Sequence, residues 1–148
     1  MLPVRKILST TDFSEPSLKG VAVANELAGF FGAELILVTV VTPMHPEVLP
    51  KIPKSSELHK EMVQYNVEKL QQVVAEKISA GVRTRQIVAS GNAADEIVAI
   101  ADLENVDLLV IATHGWTGWR RFMFGSVTEK VIRSVTCPVL TVSGPFDQ

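Results

Sequence analysis

Strand-sized runs of Val, Ile and Leu alternate along this chain with longer segments whose apolar residues recur every three or four positions. That alternation restricts the fold more than any other feature. Uninterrupted apolar strands need cover on both faces, and intervening helices can supply it. Residues 5–11 read as a short strand centred on Ile7 and Leu8, which runs out through the polar Thr10, Thr11 and Asp12. Over residues 16–31, Leu18, Val21, Ala24, Leu27, Ala28 and Phe31 make one buried helical stripe. Gly32 stands where a helix closes. Residues 34–41 lack polar alternation and suit a strand buried on both faces. Pro43, Pro46, Pro50 and Pro53 end it, and residues 43–54 read as an irregular loop, either a lid or a plain connector.

Ser55, Leu58, Met62, Tyr65, Leu70, Val73, Val74 and Ile78 then trace a long amphipathic helix closed by Gly81. Residues 83–89 make a weaker strand whose polar middle suits a sheet edge. Gly91 and Asn92 open a helix through Ile97, Val98 and Ala101, with Asp95 in the first turn, where acids are favourable. Asp107 leads into a continuous apolar strand at 108–112. A loop rich in Gly and aromatic residues fills 113–124, a short helix with the Val127, Val131, Val135 spacing covers 125–134, and a last strand takes 138–142. Five strands alternating with four helices predict an α/β fold: a mainly parallel sheet, right-handed crossovers and helices on both faces. A length of 148 residues predicts one domain, 1–148.

Charge and cysteine usage narrow the function. With 14 Lys and Arg against 16 Asp and Glu, no whole-surface positive field exists to attract nucleic acid or an anionic membrane. Any anion site must be local. Cys137, the single cysteine, excludes an intramolecular disulfide and a multi-Cys metal site, and fits a reducing compartment. Arg5 and Lys6 are followed by Asp12, Glu15 and Pro16, not by the apolar core of an export signal. The longest apolar runs, 35–41 and 108–112, fall far short of the roughly 20 residues that span a bilayer. A cytoplasmic location is therefore expected.

Ligands of open α/β sheets bind outside the carboxyl ends of the strands, where the strand order reverses. Two strand exits carry suitable residues. At the first, Asp12 can accept hydrogen bonds from ribose hydroxyls or hold a cation, although Asp at a strand exit is more often a turn or cap residue. At the second, Ala112-Thr113-His114-Gly115 is followed after nine residues by Gly125-Ser126-Val127-Thr128. Gly115 and Gly125 let backbone amides approach an anion, and the helix N-terminus adds donors and a positive dipole end. Ser126 and Thr128 add hydroxyl donors, and Arg120 and Arg121 lie between. Together these groups read as a polyphosphate cradle. The plainer alternative is evenly weighted: Ser126 only caps the helix, Gly115 and Gly118 only permit turns, and the arginines are solvated. Neither G-x-x-x-x-G-K-[ST] nor G-x-G-x-x-G is present, so a nucleotide would be held in another way.

The remaining candidates read as structural. His114 has no partner base or nucleophile in view. His45 and His59 lack ligand spacing, so no metal site is expected. Trp116 and Trp119 suit anchoring a loop onto the core. Cys137 suits a buried small apolar residue.

Three stretches together resemble the universal stress protein family, of the small single-domain type, over nearly the whole chain. They are Ile7-Leu8-Ser9-Thr10-Thr11-Asp12-Phe13-Ser14, Asp107-Leu108-Leu109-Val110-Ile111-Ala112-Thr113-His114-Gly115, and Gly125-Ser126-Val127-Thr128-Glu129-Lys130-Val131 through Cys137-Pro138-Val139-Leu140-Thr141-Val142. The resemblance implies a three-layer sandwich with sheet order 3-2-1-4-5, a fold like that of the adenine nucleotide alpha hydrolases. The family's ATP-binding members carry G-x-x-G, nine residues, then G-[ST], a frame that falls here on Ala112, Gly115, Gly125 and Ser126. Ala112 stands where the first glycine is usual, and its methyl group is expected to crowd the ribose or phosphates. The implied nucleotide site comprises Thr11, Asp12, Val40, Ile111, Ala112, His114, Gly115, Gly125, Ser126, Val127 and Thr128. In it Asp12 meets the adenosine, Val40 meets the adenine through its backbone, and Ser126, Val127 and Thr128 line the phosphates. ATP with Mg²⁺ is the implied ligand, and homodimerisation through Val139, Leu140, Thr141 and Val142 the implied assembly. The expected function is nucleotide-dependent stress sensing without a dedicated catalytic residue. A nucleotide-free dimeric interaction module and, less favoured, a slow hydrolase assisted by His114 or Asp12 are the alternatives.

Overall fold

A computed structural model describes residues 2–42, 57–114 and 125–143. The predicted elements appear in the predicted order: β1 (Lys6–Thr10), α1 (Glu15–Phe31), β2 (Glu34–Val41), α2 (Glu57–Lys77), β3 (Thr84–Ser90), α3 (Ala93–Leu103), β4 (Leu108–Ala112), α4 (Ser126–Ser134) and β5 (Val139–Val142). The loop expected at 43–54 lies outside the described residues.

All paired strands run parallel, in the order β3-β2-β1-β4-β5 expected from the family resemblance. Side chains alternate across the sheet, so β1 sends Ile7 to one face and Leu8 to the other. One face buries Ile7, Leu35, Leu37, Leu108 and Val110 beneath Val21, Ala24 and Ala28 of α1 and Leu70 and Val73 of α2. The opposite face buries Leu8, Ile36, Val38, Leu109 and Ile111 beneath α3 and Val131 of α4. The sandwich therefore has three layers. Its central strands are continuous apolar runs because both of their faces are covered, whereas β3, at an edge, tolerates Arg85 and Gln86 in its middle.

Local signals set the helix ends. The Ser14 hydroxyl accepts from the Ser17 amide at 3.3 Å and Pro16 occupies the first turn, so α1 starts just ahead of its apolar stripe. Gly32 ends it with φ of 65°, a left-handed conformation that favours glycine. Asn92 caps α3 by accepting from the Asp95 amide at 3.1 Å. Asp107 does more than precede β4: its Oδ2 accepts the Arg5 and Lys6 amides at 2.8 and 2.9 Å, which ties the entrances of β1 and β4 together. Arg85 donates to Glu34 of β2 and to Glu104 at the end of α3, bracing the edge strand. Among the described residues no helix is long and apolar enough to cross a membrane.

Candidate functional site

The chain builds outward from β1 through β2 to β3 and then crosses to β4 on the other side, so the exits of β1 and β4 flank the point where the strand order reverses. A cleft of about 370 Å³ opens there. Its volume falls in the range of roughly 300–1,000 Å³ typical of small-molecule sites. Its apolar wall comes from Val38 and Val40 of β2, Ile97 of α3 and Ile111 of β4, and its polar parts from the β1 exit and the start of α4.

At the β1 exit the buried Thr11 uses its hydroxyl twice, accepting the Phe13 amide at 2.9 Å and meeting the Ser17 hydroxyl at 2.9 Å. Asp12 is both a turn residue and a cleft residue. Its Oδ1 accepts the Ser14 amide at 2.9 Å, while its exposed side chain lines the cleft. The two readings of Asp12 are thus not exclusive.

Two bonds bring α4 to the β4 exit. The Gly125 amide donates to the Thr113 carbonyl at 2.8 Å, and the Thr128 hydroxyl donates to the Ala112 carbonyl at 2.8 Å. The second bond corrects an expectation. The buried Thr128 hydroxyl spends its proton on the backbone of β4, so it anchors the helix in place of offering a donor to a ligand. Ser126 does not cap α4 either; it is the first helical residue, and the cap is Gly125, with no side-chain bond to the first turn. The capped α1 and α3 differ in this respect. The open first turn of α4 presents its amide ends and the positive end of its dipole to the cleft.

Nothing in the backbone requires glycine at 125. Its φ of -60° and ψ of 156° suit any residue, and an added Cβ would meet the Thr113 carbonyl oxygen at 3.5 Å and the His114 Cα at 3.9 Å, ordinary contacts. Glycine here adds no side chain at the start of α4.

The Ala112 methyl points towards α1. Leu108, Val110 and Ala112 share one face of β4 by strand alternation, and Gly20 lies opposite. A methyl built on Gly20 would come within 3.6 Å of the Ala112 nitrogen and 4.0 Å of its Cβ. Ala112 is buried, with its methyl group against the glycine of α1.

His114 is buried at the cleft edge, with Nδ1 3.1 Å from the Thr113 hydroxyl. Of the residues singled out from the sequence, Thr11, Asp12, Val40, Ile111, Ala112, His114, Gly125, Ser126, Val127 and Thr128 all line this one cleft. Gly115, Trp116, Trp119, Arg120, Arg121 and His45 lie outside the described residues. The sequence reading missed Thr10, Ser17, Val38, Thr42, Ala93 and Ile97. Ser17 looks like a first-turn helix residue and Ile97 like core, so neither carries a local sign of a site.

Among the described lining residues Asp12 is the one Asp or Glu, and none is Lys or Arg. Among the described residues no three His, Cys, Asp or Glu gather to hold a metal. Cys137 is half-buried on the core of the α3 face, where burial pushes its thiol above the ordinary range. It lines a separate cleft of about 350 Å³ with Asp102, Asp107 and Thr136, at the amino ends of the strands.

Comparison with known proteins agrees with this architecture. Residues 3–143 match the model of the Universal stress protein family. Universal stress protein MJ0531 of Methanocaldococcus jannaschii is 36% identical over 144 residues, covering 95% of this chain and 83% of its own. The solved structure of MJ0577 from the same organism superposes with a TM-score of 0.77 at 32% identity, covering 97% of this chain and 99% of that one. A universal stress protein solved in complex with cAMP superposes with a TM-score of 0.63 at 23% identity, covering 95% and 97%.

Proposed function

This chain belongs to the universal stress protein family, and on that premise we propose that it binds an adenine nucleotide, ATP with Mg²⁺, in the cleft between the exits of β1 and β4. The observation that carries the reading is the start of α4. Among the described residues no side chain caps its first turn, it is approached past a glycine the fold does not need, and it opens into the cleft at the switch point. Amide ends and a helix dipole are suited to phosphate oxygens. The apolar wall of Val38, Val40, Ile97 and Ile111 suits a base, and the Asp12 carboxylate between the two suits ribose hydroxyls. Mg²⁺ would ride on the phosphates, in keeping with its preference for phosphate and water oxygens over all-protein cages. The cAMP-bound neighbour, at 23% identity, speaks for the fold and leaves the ligand argument to the cleft itself.

The role is that of a cytoplasmic nucleotide-dependent sensor, with binding in place of turnover. The arrangement supports this because Thr11 and Thr128, the buried hydroxyls nearest the strand exits, are already engaged within the protein. Assembly as a homodimer is the other part of the proposal. Among the described residues β5 pairs with β4 alone, and its other edge, with the half-exposed Leu140, offers backbone groups to a second copy. Leu140→Lys is expected to give a monomer by light scattering, and an unchanged dimer would refute that interface. The binding proposal is tested by calorimetric titration of Mg-ATP into protein stripped of nucleotide by unfolding and refolding. Saturable binding lost in Gly125→Val is expected. An intact dimer that takes up no nucleotide would favour the interaction-module reading.

A further inference from the structure

We propose that Lys69, in the middle of α2, is a positioning residue for the cleft: its ammonium, held between the rings of Tyr65 and Phe13, keeps the turn from Thr11 to Ser14 in its ligand-facing shape. This rests on reading the cleft as a nucleotide site. Phe13 has φ of 67°, a left-handed conformation that an aromatic residue seldom adopts and that needs surrounding structure to hold it. The reversal it makes sends β1 into α1 and leaves Asp12 at the cleft. The turn's own bonds are the Phe13 amide to the Thr11 hydroxyl and the Ser14 amide to Asp12 Oδ1, both 2.9 Å. Each uses a side chain that also faces the cleft, so the ligand's contacts and the turn's shape are joined.

The Phe13 ring is half-buried against the edge of the core, and Lys69 Nζ stands 5.1 Å from its centroid. The same nitrogen is 5.3 Å from the centroid of Tyr65, one turn earlier on α2. Leu70, fully buried beside Lys69, fixes the rotation of α2 and so the place where the ammonium emerges. Among the described residues no carboxylate lies within ion-pair distance of Lys69. Lys69 is half-buried as a residue, and its ammonium stands over both ring faces, the geometry of a cation–π contact. α2 thereby reaches a turn of the nucleotide cleft that its backbone does not form.

The test compares wild type, Lys69→Met and Lys69→Arg, since methionine keeps the apolar stem without the charge and arginine keeps a cation that stacks on rings. Amide hydrogen exchange of Phe13 and Ser14 is read in the nucleotide-free protein, and Mg-ATP affinity by titration. One partly exposed cation–π contact predicts exchange about two- to fivefold faster and affinity about two- to fivefold weaker in Lys69→Met, both restored in Lys69→Arg, with the melting temperature nearly unchanged. Unchanged exchange at Phe13 and Ser14 overturns the proposal whether or not nucleotide binds. Faster exchange throughout α2 with a lowered melting temperature also overturns it, because the residue would then be merely structural. Faster exchange with undiminished ATP affinity removes the positioning role. Faster, arginine-rescued exchange in a protein whose wild type takes no ATP upholds the clamp on the turn and removes the nucleotide reading instead.

Discussion

Replacing Thr128 by Val separates an anchoring hydroxyl from a ligand-binding one. Valine matches the shape of threonine and differs in helix propensity by little, so the change removes the 2.8 Å bond to the Ala112 carbonyl and not much else. Both partners are buried. A hydrogen bond of this kind contributes about 1 kcal/mol, and a buried carbonyl left without its donor raises the loss to about 1–3 kcal/mol. For a chain of this size that is a fall of roughly 3–10 °C in melting temperature. The assay is urea and thermal unfolding of nucleotide-free protein followed by far-ultraviolet circular dichroism, at fixed protein concentration because a dimer's stability depends on it. An unchanged m-value would locate the effect in the native state. Ser126→Ala, at an exposed position in the same turn, should stay within about 0.5 kcal/mol of wild type. If Thr128→Val unfolds like wild type and loses only nucleotide affinity, the hydroxyl serves the ligand and the anchoring argument is wrong.

Two further perturbations follow from the same contacts. Ala112→Gly removes a methyl that faces Gly20 and adds backbone freedom to a strand, so stability should fall by about 1 kcal/mol or somewhat more while ATP affinity stays within twofold. A tenfold gain in affinity would show that the methyl does crowd the ligand. The hydrogen bond from Arg85 holds the Glu104 carboxyl below the usual glutamate range. The stability this pair contributes is therefore complete above the ordinary glutamate pKa and drains away as pH falls towards the lowered folded value. Because Arg85 is largely solvated, the loss should not exceed about 1 kcal/mol. Arg85→Met should flatten that part of the acid limb in urea midpoints measured from neutral to acid pH, and an unaltered limb would mean the brace contributes nothing.

Much of the layout is readable from local pattern. β4 begins and ends where its apolar run does, β2 starts one residue ahead of its own, and α1 and α3 carry their own caps in Ser14 and Asn92. β3 is faint in sequence because Arg85 and Gln86 interrupt it, and what steadies Arg85 lies 51 positions earlier at Glu34 and 19 later at Glu104. The site divides in the same way. Glycine spacing and strand exits pick out the cleft, but the use of each polar group depends on partners that spacing does not reveal. Thr128 looks like a donor until its carbonyl, 16 residues away, is in view. That the Ala112 methyl faces Gly20 of α1 is likewise invisible in the spacing. Thr10, Ser17 and Ile97 look like strand, first helical turn and core, which they also are.

Backbone amide chemical shifts during titration with Mg-ATP test most directly whether a nucleotide occupies the switch-point cleft with its phosphates at the start of α4. The largest changes are expected at Ser126, Val127 and Thr128, with smaller ones at Asp12 and Val40, and quiet amides at Asp102, Thr136 and Cys137. Saturable shifts confined to that opposite cleft, or none at any concentration, would contradict that occupancy.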